Sequence, residues 1–407
     1  MSRTLLEPIL DHGIRSTHFF NGRLLSGEDL AREQAANRDA RRRLGQAIGE
    51  GVAYGLEVDV AHGVSTIDHP VVTIEQGAAI NRKGDVVAVG KTELSLVGGG
   101  TEPPSAAGAF TECERPTSAG FTVDEGAYVL VMSPAEVREG RAPVSGLGNV
   151  TASCNARYAV EGVRFRLVEM RLSKDVLEDA DRLRNRLAYR CFGTTAARLP
   201  ENPFPPRATP YGAIDELRDA EDLSDCDVPL ALIVWTKERG IDFVDTWPVR
   251  RRLSRRSVAP AWDMLLGDRR TSEAEAMMLQ FQDQIEEIVA NDRRHVEIEA
   301  KARFEFLPPA GLVPIAGERV QRGFSGGTFF GEETWKRKVN IESNQLRELF
   351  QQALGHEPID LSWPQAIQVY QVFDRVDPKA REQTTERPYV AFATTALISP
   401  PTGSDTR

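Results

Sequence analysis

"HFFNGRLLSGEDLAREQ", residues 18–34, is the stretch on which the reading of this chain turns. Phe19 and Phe20 offer a compact apolar anchor for the chain entry, with Leu24 and Leu25 beside them. Asn21-Gly22 accepts positive φ and so reverses the chain. Ser26 then stands as an N-cap with Asp29 at the third helical position, a capping-box variant. Glu28 adds negative charge at the positive end of the helix dipole. The pattern predicts a helix over about 27–48, ending near Gly49 and Gly51.

Along that helix a 4,3,4,3,4 spacing picks out Leu30, Gln34, Asn37, Arg41, Leu44 and Ile48, a heptad seam with apolar ends and a polar middle. A monomer gains little from such a face. Around an oligomer axis, stacked Gln and Asn side chains would hydrogen-bond and set register. These six residues, with Phe19, Phe20 and Leu24, are therefore the expected assembly residues, and a homo-oligomer, with a trimer favoured, is the expected state. The competing reading is a surface helix that covers a sheet.

Outward from the helix, "GVAYGLEV" (51–58), "VVTIE" (71–75) and "DVVAV" (85–89) are β-branched and partly alternating, with "NRKG" (81–84) as a turn. They predict a small antiparallel β-module that closes a first unit, residues 1–97. "GGGTEPPSAAG" (98–108) has linker composition. A β-rich mixed region is expected over 109–259. Its strands are "AYVLVMS" (127–133), "VRFRLVEM" (163–170), "VPLALIVW" (228–235) and "IDFVD" (241–245), with a helix over 173–191 capped by Ser173.

A long helix is expected within 260–306. Its periodic segment, 272–302, carries a second seam, apolar through Met278, Phe281, Ile285 and Ile288 and polar through Asp292, His295 and Glu299 to Ala302, and would form a rod of about 45 Å. Phe281, Ile285 and Ile288 join the expected interface. "FEFLPPAGLVP" (304–314) reads as a proline-rich turn. Residues 307–407 then form a C-terminal α+β region, with a helix over 342–354, strands at 366–374 and 388–397, and a mobile tail. The fold class is thus α+β and multidomain.

Composition excludes several classes. The longest apolar run, 228–235, is far short of the ~20 residues of a membrane span. The opening "MSRTLLEPILDHG" lacks the parts of a signal peptide, so a cytoplasmic location is expected, or a particle assembled there and later released. Cys113, Cys154, Cys191 and Cys226 make no C-x-x-C pair and are expected as buried or half-buried thiols. A net charge of −10 argues against nucleic acid as a partner. Two basic clusters, 38–43 and 250–256, lack interleaved aromatics and are read as solvated faces or subunit contacts.

No motif carries catalysis. "GDVVAVGKT" (84–92) has five residues, not four, before its Gly-Lys pair, and those residues belong in a strand. "GFSGG" (323–327) matches G-x-S-x-G at Ser325, but the residues that follow read as loop or strand rather than helix. Only His356 follows Ser325, and its nearest acid, Asp360, comes after it. His62 and His69 flank a turn near Asp68, without helical metal-ligand spacing. No cofactor and no metal site are expected, and the chain does not read as an enzyme.

Taken together, "FFNGRLLSGEDLAREQ", the basic helix, "GVAYGLEV" and "VTIEQGAAINRKGDVV" resemble an N-terminal pattern of baseplate- or fibre-associated structural proteins in contractile phage tails and phage-tail-like injection systems. The matching positions are Phe20, Gly22, Arg23, Leu24, Asp29, Leu30, Glu33, Gln34, Gly51, Gly55, Gly77 and Gly84. The resemblance covers about the first 90 residues. It implies a structural subunit, often oligomeric, with its helix close to an axis and other particle subunits as partners. Two alternatives stand beside it: a hydrolase using Ser325 and His356, and a monomeric glycan-binding module using Trp235, Trp247, Trp335 and Trp363.

Overall fold

The computed structural model describes residues 13–97, 125–140, 157–172, 176, 179–193, 212–255, 268–291, 295–317, 322–363, 366–374, 386–394 and 397. The expected linker, the Ser173 cap, Cys113, Cys154 and the C-terminal tail lie outside these residues. The fold is mixed α+β, as its sequence periodicities require.

Helix α1 spans Gly27–Ile48 and begins as its cap chemistry dictates. The Asp29 amide donates to Ser26 Oγ, and the Ser26 amide donates back to Asp29 Oδ2. The β-module follows as two three-stranded antiparallel sheets. Strands β1 (Gly51–Tyr54), β4 (Gly77–Ile80) and β5 (Val86–Val89) form one, in the order β1-β4-β5. Strands β2 (Val58–Val60), β3 (Val71–Ile74) and β6 (Thr92–Ser95) form the other, in the order β2-β3-β6. The single strand expected over 51–58 is split because Gly55 and Leu56 both adopt a φ of +63°. That turn hands the chain from one sheet to the next and drives Leu56 into the core.

The central sheet is antiparallel, in the order β10 (Gly240–Asp245), β9 (Val228–Thr236), β7 (Gly126–Glu139) and β8 (Tyr158–Glu169). Both its faces are covered, and the period of two along β7 sorts its side chains. Tyr128, Leu130 and Met132 point to a core shared with Val58, Val72, Ile74 and Val87 of the β-module. Ala127, Val129 and Val131 point the other way, to helices α2 (Leu183–Phe192) and α3 (Ala213–Asp219). This corrects the expected boundary at 97: the module and the central sheet bury one another's apolar faces and share one core.

Helix α4 spans Asp268–Asn291, about 36 Å at 1.5 Å per residue. It is shorter than the rod expected to reach 302. Residues beyond it form a two-residue strand at His295–Val296 and a single helical turn at Ala300–Arg303. The change of period is physical: "HVEIE" alternates every second residue, as a strand does. The expected proline turn at 304–314 instead holds two strands, Phe306–Leu307 and β11 (Ala310–Pro314). Pro314 sits at the strand's end, where proline is tolerated.

The last sheet contains β11, β12 (Val339–Glu342), β13 (Gln368–Phe373) and β14 (Glu386–Ala393), in the order β11-β14-β13-β12. Only the β12–β13 pairing is parallel. One face meets an aromatic cluster of Phe281, Phe304, Phe324, Phe329 and Phe330, into which Phe392 projects. The opposite face takes α5 (Leu346–Ala353) through Leu349 and Ala353. Helix α4 ties this region to the central one, where Ala276 and Met277 pack with Ala188, Tyr189 and Phe192. Asn185 strengthens that junction: its Oδ1 accepts the amides of Glu305 and Phe306, and its Nδ2 donates to the Phe306 carbonyl.

The thiols need one correction. Cys226 is disulfide-bonded, with its partner outside the described residues. Cys191 is free and buried.

Candidate assembly surface

Helix α1 is the least covered long element described. Of its 22 residues only Ala36 and Gly45 are buried. All six seam residues, Leu30, Gln34, Asn37, Arg41, Leu44 and Ile48, are exposed. Leu30 keeps 52%, Leu44 62% and Ile48 45% of its surface. Each of these three side chains forgoes the free energy of burial within its own chain.

Two sets of contacts hold the helix and leave this stripe open. At the C-terminal half, Gly45 lies against the backbone of Gly84, so close that a Cβ on Gly45 would stand 2.1 Å from the Gly84 carbonyl oxygen. Gly84 itself has a φ of +87°, which favours glycine at this turn. Arg42 pairs with the buried Asp85, and Gln46 Nε2 donates to the Lys83 carbonyl. At the N-terminal half the preceding segment folds back. The Thr17 amide donates to Glu33 Oε2, and the Thr17 hydroxyl donates to the Asp29 carbonyl. At about 100° per residue, Arg42 and Gly45 lie roughly a quarter-turn to one side of the seam, and Asp29 and Glu33 roughly a quarter-turn to the other. The seam runs between them.

The entry residues differ from expectation. Phe19, Phe20, Leu24 and Leu25 are exposed, Leu24 at 92%, so they do not anchor the chain. Polar chemistry does: Arg23 donates to the His18 carbonyl and pairs with Asp29. Asp29 is the hub of the cap. Hydrogen bonds from Ser26, with the Arg23 guanidinium beside them, hold its carboxyl below the usual carboxylate range. The expected anchor is thus a second group of exposed apolar side chains, ahead of the helix.

Helix α4 behaves in the opposite way. Phe281 and Ile285 lie in the aromatic core of their own chain, and Ile288 packs at its margin. The second expected interface is therefore internal. Its polar positions have an internal use as well. Asp245 is buried and pairs with Arg184, which also pairs with Glu287. Gln280 donates to Asp245 and to Gln284. Burial pushes the Asp245 carboxyl up, against the opposing pull of Arg184. Nothing in the helical period distinguishes such a face from a coiled-coil seam. Only the sheet packed against it does.

The other candidate residues sit in varied surroundings. The first three residues of the basic cluster at 250–256 make contacts within the chain: Arg250 donates to the Gly55 carbonyl, Arg251 to the carbonyls of Trp247, Pro248 and Arg250, and Arg252 pairs with Glu275. A short helix, Gly326–Phe330, does follow Ser325, contrary to expectation. Ser325 nonetheless has an ordinary φ of −73°, and its hydroxyl accepts from Thr328. A nucleophile elbow would be strained at this residue. His356 lies beyond α5, its carbonyl held by Arg270.

Trp335 stacks on Phe330, Trp247 donates to Asp283, and Trp235 is half-buried, which leaves Trp363 as the exposed tryptophan of the four. Among the described residues no group of three or more His, Cys, Asp or Glu side chains is placed to hold a metal ion. None of the described helices is long and apolar enough to cross a membrane. The chain matches no protein-family model, and no curated protein gives a significant match to it.

Proposed function

We propose that this chain is a non-enzymatic structural subunit that joins others through α1, as a component of a phage-tail-like contractile injection particle. One observation carries the joining role: a 22-residue helix exposes every position of a heptad seam while both of its flanks are held by its own chain. The particle assignment rests on the resemblance of residues 18–90 to baseplate- and fibre-associated proteins. In this reading the exposed Phe19, Phe20 and Leu24 widen the contact, and other particle subunits are the further partners.

The test is native mass by light scattering over a range of concentrations, on the parent chain and on Leu44→Asp. An oligomer that Leu44→Asp reduces to monomer, with loss of incorporation into particles, is the expected result. Unchanged mass together with unchanged incorporation would refute the joining role of α1.

A further inference from the structure

The polar middle of the seam carries information about how two copies would meet. Resting on the reading of α1 as a joint, we infer that its partner is a second copy of this chain, lying antiparallel, so that Asn37 of one copy faces Arg41 of the other.

The argument is one of charge. In a parallel, in-register pairing each seam residue meets itself. Arg41 would then face Arg41, and like charges at one layer repel. Asn37 would meet Asn37, whose amide donor is already engaged: Asn37 Nδ2 donates to the Glu33 carbonyl and to Glu33 Oε1. Both amides would present the same unmatched acceptor.

Reversing one helix removes both difficulties. The seam positions are symmetric about residue 39, so an antiparallel copy aligns Leu30 with Ile48, Gln34 with Leu44 and Asn37 with Arg41. Leu30 then closes on Ile48 at either end, with the Leu44 side chain lying along the stem of Gln34. At the centre, the amide oxygen of Asn37 is an acceptor and the Arg41 guanidinium a donor with five N–H groups. Arg41 uses only its Nε within its own helix, at 3.4 Å from the Asn37 carbonyl oxygen. A two-fold axis repeats the Asn37–Arg41 layer twice, which makes the interface self-complementary. Gly45 and Arg42 stay on the β-module, outside the seam, so pairing leaves the helix anchor intact.

The experiment uses the full chain with one cysteine added at a time and a short thiol cross-linker. Leu30→Cys and Ile48→Cys proteins are treated separately and mixed, with the parent chain as background. Cross-linked dimer that forms only in the mixture is the expected result. Cross-linking of each variant with itself would overturn the antiparallel arrangement while leaving α1 as a joint. No cross-link in any sample overturns the inference, and with a monomeric native mass it overturns the joining role too. Asn37→Glu gives a second, independent readout. It places a carboxylate opposite Arg41 twice per dimer, so dimerisation is expected to tighten roughly two- to thirtyfold. Weaker dimerisation would mean that the introduced carboxylate faces its own counterpart, and hence that the helices run parallel.

Discussion

Asn185 shows how much one side chain can decide. It is buried in α2, yet its three hydrogen bonds all go to residues 305 and 306, more than a hundred positions away. Asn185→Ala would leave the amides of Glu305 and Phe306 without their acceptor. The expected cost is about 2–4 kcal/mol, read from the midpoint of a denaturant melt. Cys191 gives a second test at this scale. Burial pushes its thiol up to about 12, with the Arg251 guanidinium opposing only in part. The thiolate is the reactive form, so Cys191 should resist a thiol reagent at pH 8 in the folded chain and react once the chain is unfolded. Neither role is written in the neighbouring sequence. "RLRNRLAYRC" marks a helix by its period, but the acceptor that Asn185 supplies becomes visible only when residues 305 and 306 lie beside it.

At the scale of elements, α1 was legible from local chemistry alone. Its start, its end and its capping box match the chain's own signals, because a cap is a contact between residues three apart. The cap has a pH signature. The folded Asp29 carboxyl titrates below its ordinary value, so its contribution is complete above the usual carboxylate range and is lost as pH falls through the lower folded value. Helicity of α1, followed by amide exchange, should fall over that acidic window, and Asp29→Ala should remove the dependence. The glycine contact at its other end was not legible. Gly45 reads as an ordinary helix residue until Gly84 approaches it. Gly84→Ala combines a left-handed φ with a clash on the Arg42 carbonyl, at a cost above about 1 kcal/mol. Faster amide exchange in α1, with the β-module core unchanged, is the expected readout.

Across the whole molecule, the junction between the central sheet and α4 depends on a charge cluster built around the buried Asp245. Asp245 sits on β10, Arg184 on α2, and Gln280, Gln284, Asp283 and Glu287 on α4. Arg184→Ala would strand the Asp245 carboxylate, a loss of about 3–5 kcal/mol if the acid stays charged. The pH dependence has a definite sign. The folded Asp245 carboxyl titrates above its unfolded value, so the penalty is absent below the unfolded value, grows as pH rises from there, and is complete above the folded value. The variant should therefore recover stability on acidification, seen as a melting transition that moves back towards the parent. Loss of stability of equal size at every pH would count against this role for Arg184.

What the chain determined by itself is local: the cap and span of α1, the strands at Val71–Ile74 and Val86–Val89, the four strands of the central sheet, and the α+β class. Each follows from contacts within a few residues or from a period of 2 or 3.6. What only the tertiary structure decided is which apolar faces find a partner. The seams of α1 and α4 look alike as sequence, each with apolar and polar stretches. Yet Phe281 and Ile285 are buried under Phe304 and Phe392, while Leu30, Leu44 and Ile48 are left uncovered by the described residues. Burial depends on what the rest of the chain brings alongside, and a helical period records only that a face is apolar. The boundary at 97 failed for the same reason. A linker composition describes the backbone between two sheets, whereas the shared core is made by side chains on either side of it.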